Sequence, residues 1–435
     1  MMRNRRLGLS SLLLVVGVVA CTSSSFDTAS TDEDGGPRSD TAAGDGATID
    51  SAGGGDTAIP PGDVGPPGDG STACVSLSPA ATDVYVDKRF GGAVSNGTET
   101  CPFTTITAAI ALPATASGTR TIHVAGGAIP VVYNEPSSIV VPHATVLLGE
   151  GPTKTTINAS GPCGTGTCAV MVSSDAKVDG FTVVSAGGDG IVTATGTPAP
   201  IVLDVRANGS KLNGIEVLGA IELGPNVSAN RNTRDGLHSS GFGVVHVIAG
   251  ANEFDNNTLS GIEIDGNATL QIDGASASFN SLNGVRLSWS APAPGTGPQH
   301  LIVGLVATSN KNAGIAAFSG QNLKIRSSKL LTNSYGLNYQ YAGTGALDLG
   351  TSVAPGGNTF GVTTVATRNT MAGIFLCRSR GTASQSAEGN GWSKCAPSQN
   401  PTGGCDILPA AYVDIAYAGA IAGDPVALSS CTSGP

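Results

Sequence analysis

Five ionisable side chains, Glu216, His238, Glu263, Arg286 and Asp265, fall at matching places in short phrases that recur along the 435-residue chain. Glu216 sits in "NGIEV", His238 in "DGLHS", Glu263 and Asp265 in "SGIEID", and Arg286 in "NGVRL". Carboxylates, an imidazole and a guanidinium on one surface are the groups that acid–base cleavage of a glycosidic bond uses, one to give a proton and one to take it. If each phrase is one rung of a sheet, Glu216 and Glu263 stand two rungs apart, about 9.6 Å. That lies near the upper end of the roughly 6.5–9.5 Å that separates the carboxyls of inverting glycosidases. The alternative is a solvated sheet face whose alternating charges attract one another mildly. The remaining histidines, His123, His143, His246 and His300, have no partner at a catalytic or metal-binding spacing and read as structural or exposed.

The elements that would position these groups follow from the recurrence itself. A glycine followed by an aliphatic residue occurs at Gly190, Gly214, Gly236, Gly261, Gly284, Gly314, Gly336 and Gly373. Most intervals between these glycines lie between 22 and 25 residues. Asn232, Asn257, Asn280, Asn310 and Asn369 each stand four residues before such a glycine. A repeat of this period means stacked units that cannot bury their apolar faces singly. Each unit reads as a turn, for which glycine offers a backbone conformation closed to other residues and which asparagine tolerates. A short alternating strand follows, its Ile, Leu or Val pointing inward. Stacking then buries one column, Ile215, Leu237, Ile262, Val285, Ile315, Leu337 and Ile374. Facing out is a second column: Val192, Glu216, His238, Glu263, Arg286, Ala316, Asn338 and Phe375. Asparagines at one turn of successive coils can form an amide ladder, as in cross-β stacks.

Composition agrees with strands and turns. Aromatics make up 4% and charged residues 12%, while glycine fills 62 positions and the apolar residues are mostly Val, Ile, Leu and Ala. The formal charge of -10 concentrates in Thr22–Ala73, where ten acids face the single base Arg38. No basic patch suggests a nucleic-acid partner. The Gly-, Asp-, Ser- and Pro-rich stretch 21–73 cannot bury enough apolar surface to order itself and reads as a disordered tether. Ahead of it, "MMRNRRLGLSSLLLVVGVVAC" carries three arginines and an apolar run too short to span a bilayer as a mature helix, so residues 1–20 read as an export signal. This signal resembles that of bacterial lipoproteins, with Val18-Val19-Ala20-Cys21 as the lipobox. The resemblance implies an acylated Cys21 and anchorage in a membrane, the outer membrane being favoured because Thr22 replaces the Asp that often marks inner-membrane retention. Eight further cysteines in an oxidising compartment suggest disulfides near the ends of the folded body. They are Cys74, Cys101, Cys163, Cys168, Cys377, Cys395, Cys405 and Cys431. Proximity suggests Cys74 with Cys101 and the last four among themselves, but the sequence leaves connectivity open. Cys163 and Cys168 lack a second ligand pair or nearby histidine for zinc, and no calcium motif or other cofactor site is recognisable.

A resemblance to a known superfamily then becomes specific. "DVYVDKRFGGAVSNGTETCPFTTITAAIAL" (83–112) resembles the N-terminal signature of right-handed parallel β-helix proteins of the pectate-lyase-like superfamily. "TIHVAGGAIPVVYNE" and "HATVLLGEGPTKTTINAS" resemble its next coils. "LDLGTSVAPGGNTF" (347–360) is similar to a late coil of a bacterial domain-of-unknown-function branch. The resemblance implies an all-β right-handed solenoid over residues 74–435. A short helix near Thr105–Leu112 should cap one end and the Cys377–Cys431 stretch the other. It implies little about chemistry, because the fold hosts lyases, hydrolases, adhesins and structural proteins, and the familiar paired-aspartate strings of its hydrolases are not recognisable. Three classes stay open: a non-catalytic binding or structural role at the cell surface, toward glycans; a polysaccharide lyase or glycoside hydrolase acting on acidic polysaccharide; and a scaffold for partner proteins.

Overall fold

The computed structural model of the protein describes residues 74, 77–78, 81–113, 118–164, 166–288, 299–318, 322–341, 346–351, 353–361, 367–378, 387, 390–392, 399–402, 413–418 and 431–433. The export signal, Cys21 and the tether lie outside the described residues, as do Cys395, Cys405 and the side chains of Cys377 and Cys431.

Strands of successive coils pair in parallel, and the chain winds into a right-handed β-solenoid of about nine turns. One sheet runs from Asp83–Val86 through Arg120–Val124, Lys177–Val184, Phe242–Val247 and Asn267–Ser276 to Leu347–Asp348. A second runs from Ile139–Val141 through Asp189–Thr193, Ile215–Val217, Leu237–Ser239, Ile262–Asp265 and Val285–Ser288 to Ala372–Arg378 and Val413–Ala418. A narrower third row joins single positions of consecutive coils, Thr182 to Arg206, Ser228, Glu253 and Ser276.

The register of the second sheet follows the glycine alignment. Ile191, Ile215, Leu237, Ile262, Val285, Ile315, Leu337 and Ile374 are mutual neighbours, and all are at most 1% exposed. Each such side chain taken from water contributes roughly 1.5–3 kcal/mol, which a single coil could not collect. The glycines have another role than the one expected of them. Gly190, Gly214, Gly236, Gly261, Gly284, Gly314 and Gly336 have no positive φ. A Cβ there would instead meet the carbonyl oxygen of the next coil's glycine at 2.5–2.8 Å. Close approach of stacked backbones, not a left-handed turn, excludes a side chain. The left-handed residue is the one just before five of the ladder asparagines, at 232, 257, 280, 310 and 333: Arg231, Asn256, Phe279, Ser309 and Thr332.

The asparagine ladder is present and is longer than the spacing indicated. The Nδ2 of Asn232 donates to Asn257, Asn257 to Asn280, Asn280 to Asn310 and Asn310 to Asn333, each at 3.1 Å, and the Asn333 backbone N–H donates to Asn369. Asn333 lies three residues before Gly336 rather than four, because the turn there is one residue shorter.

At the N-terminal end the helix Ile106–Ile110 packs on the first coils, with Thr105 Oγ1 accepting from Ala108 N. Glu135, from a neighbouring coil, accepts the amide N–H groups of Ile106 and Thr107, which satisfies first-turn donors with a negative charge. Disulfides join Cys74 to Cys101 and Cys163 to Cys168. At the other end Ile374 pairs with Ile415, so parallel sheet continues into the stretch expected to act as a cap. Among the described residues no helix is long and apolar enough to cross a membrane.

Candidate functional site

The outward column lies in one register. Val192 pairs with Glu216, Glu216 with His238, His238 with Glu263, Glu263 with Arg286, Arg286 with Ala316, and the series continues to Asn338 and Phe375. His238 therefore stands between the two glutamates. Its Nδ1 lies 2.6 Å from Glu216 Oε2, and Arg286 donates to Glu263 Oε1 at 2.9 Å. Glu216 also accepts from Asn213 Nδ2 and Ser240 Oγ, both at 3.0 Å. Asp265 ends its strand exposed and stands outside this bonded group.

The column is not the open, solvent-facing strip expected of it. The side chains of Glu216, His238 and Glu263 are only 13%, 14% and 9% exposed, and Arg286 alone reaches 38%. Stacking at the sheet spacing makes each side chain the cover of the next. The ends of the column are apolar. Val192 is packed under Cys163, Cys168, Met171 and Leu218. Ala316 and Phe375 cluster with Tyr335 and Phe318, and the Arg286 guanidinium lies 5.9 Å from the Phe318 ring centre.

Sequence reasoning passed over the residue immediately before each glycine. Asp189 accepts the backbone N–H of Asn213, Asn213 that of Asp235, Asp235 that of Ser260, and Asn283 that of Ala313. This second polar ladder runs beside the column, and its signal was the recurring D, N, D, S, N before the glycine. Asp235 is fully buried, and among the described residues its Oδ2 has no hydrogen-bond partner. Burial, with Glu263 nearby, pushes its carboxyl up to about 6, although the Ser260 N–H pulls the other way. Burial likewise raises Asp189. His238 is pulled down by burial, but the hydrogen bond and charge of Glu216, with Asp235 and Glu263 behind it, hold the imidazole above its ordinary value.

Other histidines do find partners on neighbouring rungs. His123 Nε2 lies 2.9 Å from Asp83 and His246 Nε2 3.2 Å from Asp273. His300 is inside the core, accepts the Leu270 N–H at Nδ1, and is driven down to about 4 by burial. No group of three or more His, Cys, Asp or Glu side chains among the described residues could hold a metal ion.

A separate groove of about 670 Å³ opens on the third row. Arg206, Ser228 and Glu253 form its floor, and Asn226, Arg231 and Asn256 stand at its sides. None of these residues was singled out from sequence, because the floor positions share no residue type from coil to coil.

This arrangement of coils defines a right-handed parallel β-helix. The chain belongs to the DUF1565 family, described as a protein of unknown function, whose model matches residues 90–399. Among solved structures it is similar to the A-module of the Azotobacter vinelandii mannuronan C-5 epimerase AlgE6, with 17% identity over 76% of this chain and 94% of that one, at a TM-score of 0.40. It is similar also to the A-module of the epimerase AlgE4 from the same organism, with 15% identity over 81% and 100% of the two chains, at a TM-score of 0.33. A pectin methylesterase in complex with a hexasaccharide shares 13% identity over 71% and 78% of the two chains, at a TM-score of 0.28. No curated protein matches the chain.

Proposed function

We propose that the protein is an exported, lipid-anchored β-helix that binds glycans at the cell surface without cleaving them. The observation that supports this best is the closure of the column. Glu216 is engaged by Asn213, His238 and Ser240, and Glu263 by Arg286. A general acid or base must exchange its proton with a bound substrate, whereas these groups are occupied with one another and largely covered. The anchor rests on the lipobox-like Val18–Cys21 stretch, since several acyl chains on one cysteine hold a protein far more firmly than one.

A second reading is a lyase or hydrolase acting on acidic polysaccharide. Asp235 favours it, as a buried carboxyl shifted toward neutrality beside His238 and Glu263 is the kind of group that catalysis recruits. Incubating the full chain with acidic and neutral polysaccharides, while following new reducing ends and new double bonds, separates the two. The binding reading expects no turnover together with retardation of the chain in gels containing glycan. Turnover that vanishes in Glu263→Gln, with folding intact, overturns it.

A further inference from the structure

The groove on the third row carries chemistry that the fold itself leaves unused. Its floor crosses three coils, Arg206 to Ser228 to Glu253, each one rung from the next. At about 4.8 Å per rung this is a trough running along the solenoid axis, and its volume falls in the range of small-molecule sites. Two carboxylates, Asp204 and Glu253, face two guanidiniums, Arg206 and Arg231, so the lining carries no net charge. Asparagine amides supply most of the remaining contacts, at 208, 226, 230 and 256.

What the fold needs from these residues is limited. Asn208 and Asn230 are committed to it, Asn208 accepting the N–H of Asn230 and Asn230 that of Asp255. By contrast, among the described residues the side chains of Arg206, Asn226, Arg231 and Asn256 make no hydrogen bond or ion pair within the chain. Asn226 and Asn256 have φ of 63° and 61°, where glycine would serve the backbone at least as well. Their amides are therefore surplus to folding, and with Arg206 they line one polar trough.

An anionic polymer would meet Asp204 and Glu253 there, a cationic one Arg206 and Arg231, and an apolar ligand would strand the two guanidiniums and the Asn226 and Asn256 amides without partners, Glu253 alone keeping the Asn230 amide at 3.0 Å. A chain of hydroxyl groups, each both donor and acceptor, matches mixed amides, carboxylates and guanidiniums. We propose that this groove binds one neutral glycan chain lying along the solenoid axis. The assignment rests on the glycan-binding reading and adds to it a place and a charge class.

The test is calorimetric titration of the full chain with cellohexaose, xylohexaose, maltohexaose and hexagalacturonate at low and high salt. A neutral hexasaccharide should bind with little salt dependence, and the combined variant Arg206→Ala, Asn226→Gly, Asn256→Gly should weaken it about tenfold or more, close to 1.4 kcal/mol. Arg206→Ala alone should weaken it in the same direction, which keeps the test decisive if the combined variant folds poorly. Lys329→Ala, exposed on the same row but beyond the groove, should bind as the native chain does. Undiminished binding in both groove variants overturns the assignment and leaves the glycan reading standing. Tighter, salt-sensitive binding of hexagalacturonate overturns the charge class. Failure of every hexasaccharide to bind overturns both the groove and the reading on which it rests.

Discussion

His238 Nδ1 and Glu216 Oε2 lie 2.6 Å apart across one rung of the second sheet, with the two side chains only 14% and 13% exposed. Two forces act on this imidazole in opposite senses. Burial opposes its charge, and the glutamate favours it. The glutamate wins in the native chain.

Replacing Glu216 by glutamine keeps the shape of the site and removes the charge. With its largest upward influence gone, His238 should titrate below the ordinary imidazole value, since burial persists and only the weaker influence of the Asp235 and Glu263 charges still opposes it. A proton NMR titration of the His238 ring, assigned by comparison with His238→Gln, measures this. An unchanged titration would show that the pair does not govern the imidazole and would weaken the argument that the column is closed on itself.

The repeated glycines make a prediction opposite to the one a turn glycine makes. At Gly261 a Cβ would sit 2.6 Å from the Phe254 carbonyl oxygen and 2.7 Å from that of Gly284, both of them backbone atoms. Gly261→Ala should therefore cost about 1–3 kcal/mol as overpacking, although its φ suits alanine. Asn256, which does have a positive φ, should accept glycine with no loss. Urea unfolding of the two variants side by side reads both effects, and a neutral Gly261→Ala would contradict the close-approach account.

These two positions also show what the sequence made legible. The glycine marks each coil, so counting from it gave the inward and outward columns of the second sheet in their true register, even across the longer intervals before Gly314 and Gly373. Register was readable because an error of one residue would turn every Ile and Leu outward. The physical role of the glycine was not readable, since left-handed backbone and backbone crowding both call for the same residue. Asn333 escaped notice because its turn is one residue shorter, and Asp235 because a lone aspartate before a glycine resembles any turn. Burial of Glu216 and Glu263 depends on what stacks above and below them, which no single coil reveals. The groove was hidden for a similar reason: Arg206, Ser228 and Glu253 meet through single bridging positions with no repeated letter.

His300 and Asp235 should impose opposing pH dependences on stability. An unfolded His300 takes up its proton as pH falls through 6.5, but the folded, buried ring does so only at about 4. Between those values the unfolded chain holds more protons, so this residue lowers stability as pH falls, by on the order of 3 kcal/mol across the window. Asp235 acts in reverse. Unfolded it ionises at 3.8 and folded at about 6, so the folded chain holds the extra proton and stability falls as pH rises through the same range, again by on the order of 3 kcal/mol. Asp189 and Asp255, both raised by burial, add to the second trend. His300 and Asp235 thus largely offset one another between about pH 4 and 6, and the native chain should show the milder loss of stability with rising pH that Asp189 and Asp255 leave over. His300→Leu should steepen this loss, and Asp235→Asn, which keeps an acceptor for the Ser260 N–H, should weaken or reverse it. Each substitution also shifts the baseline, so the slope of the urea midpoint against pH is the quantity to compare. Parallel profiles for the native chain and both variants would show that neither buried group titrates as its surroundings require.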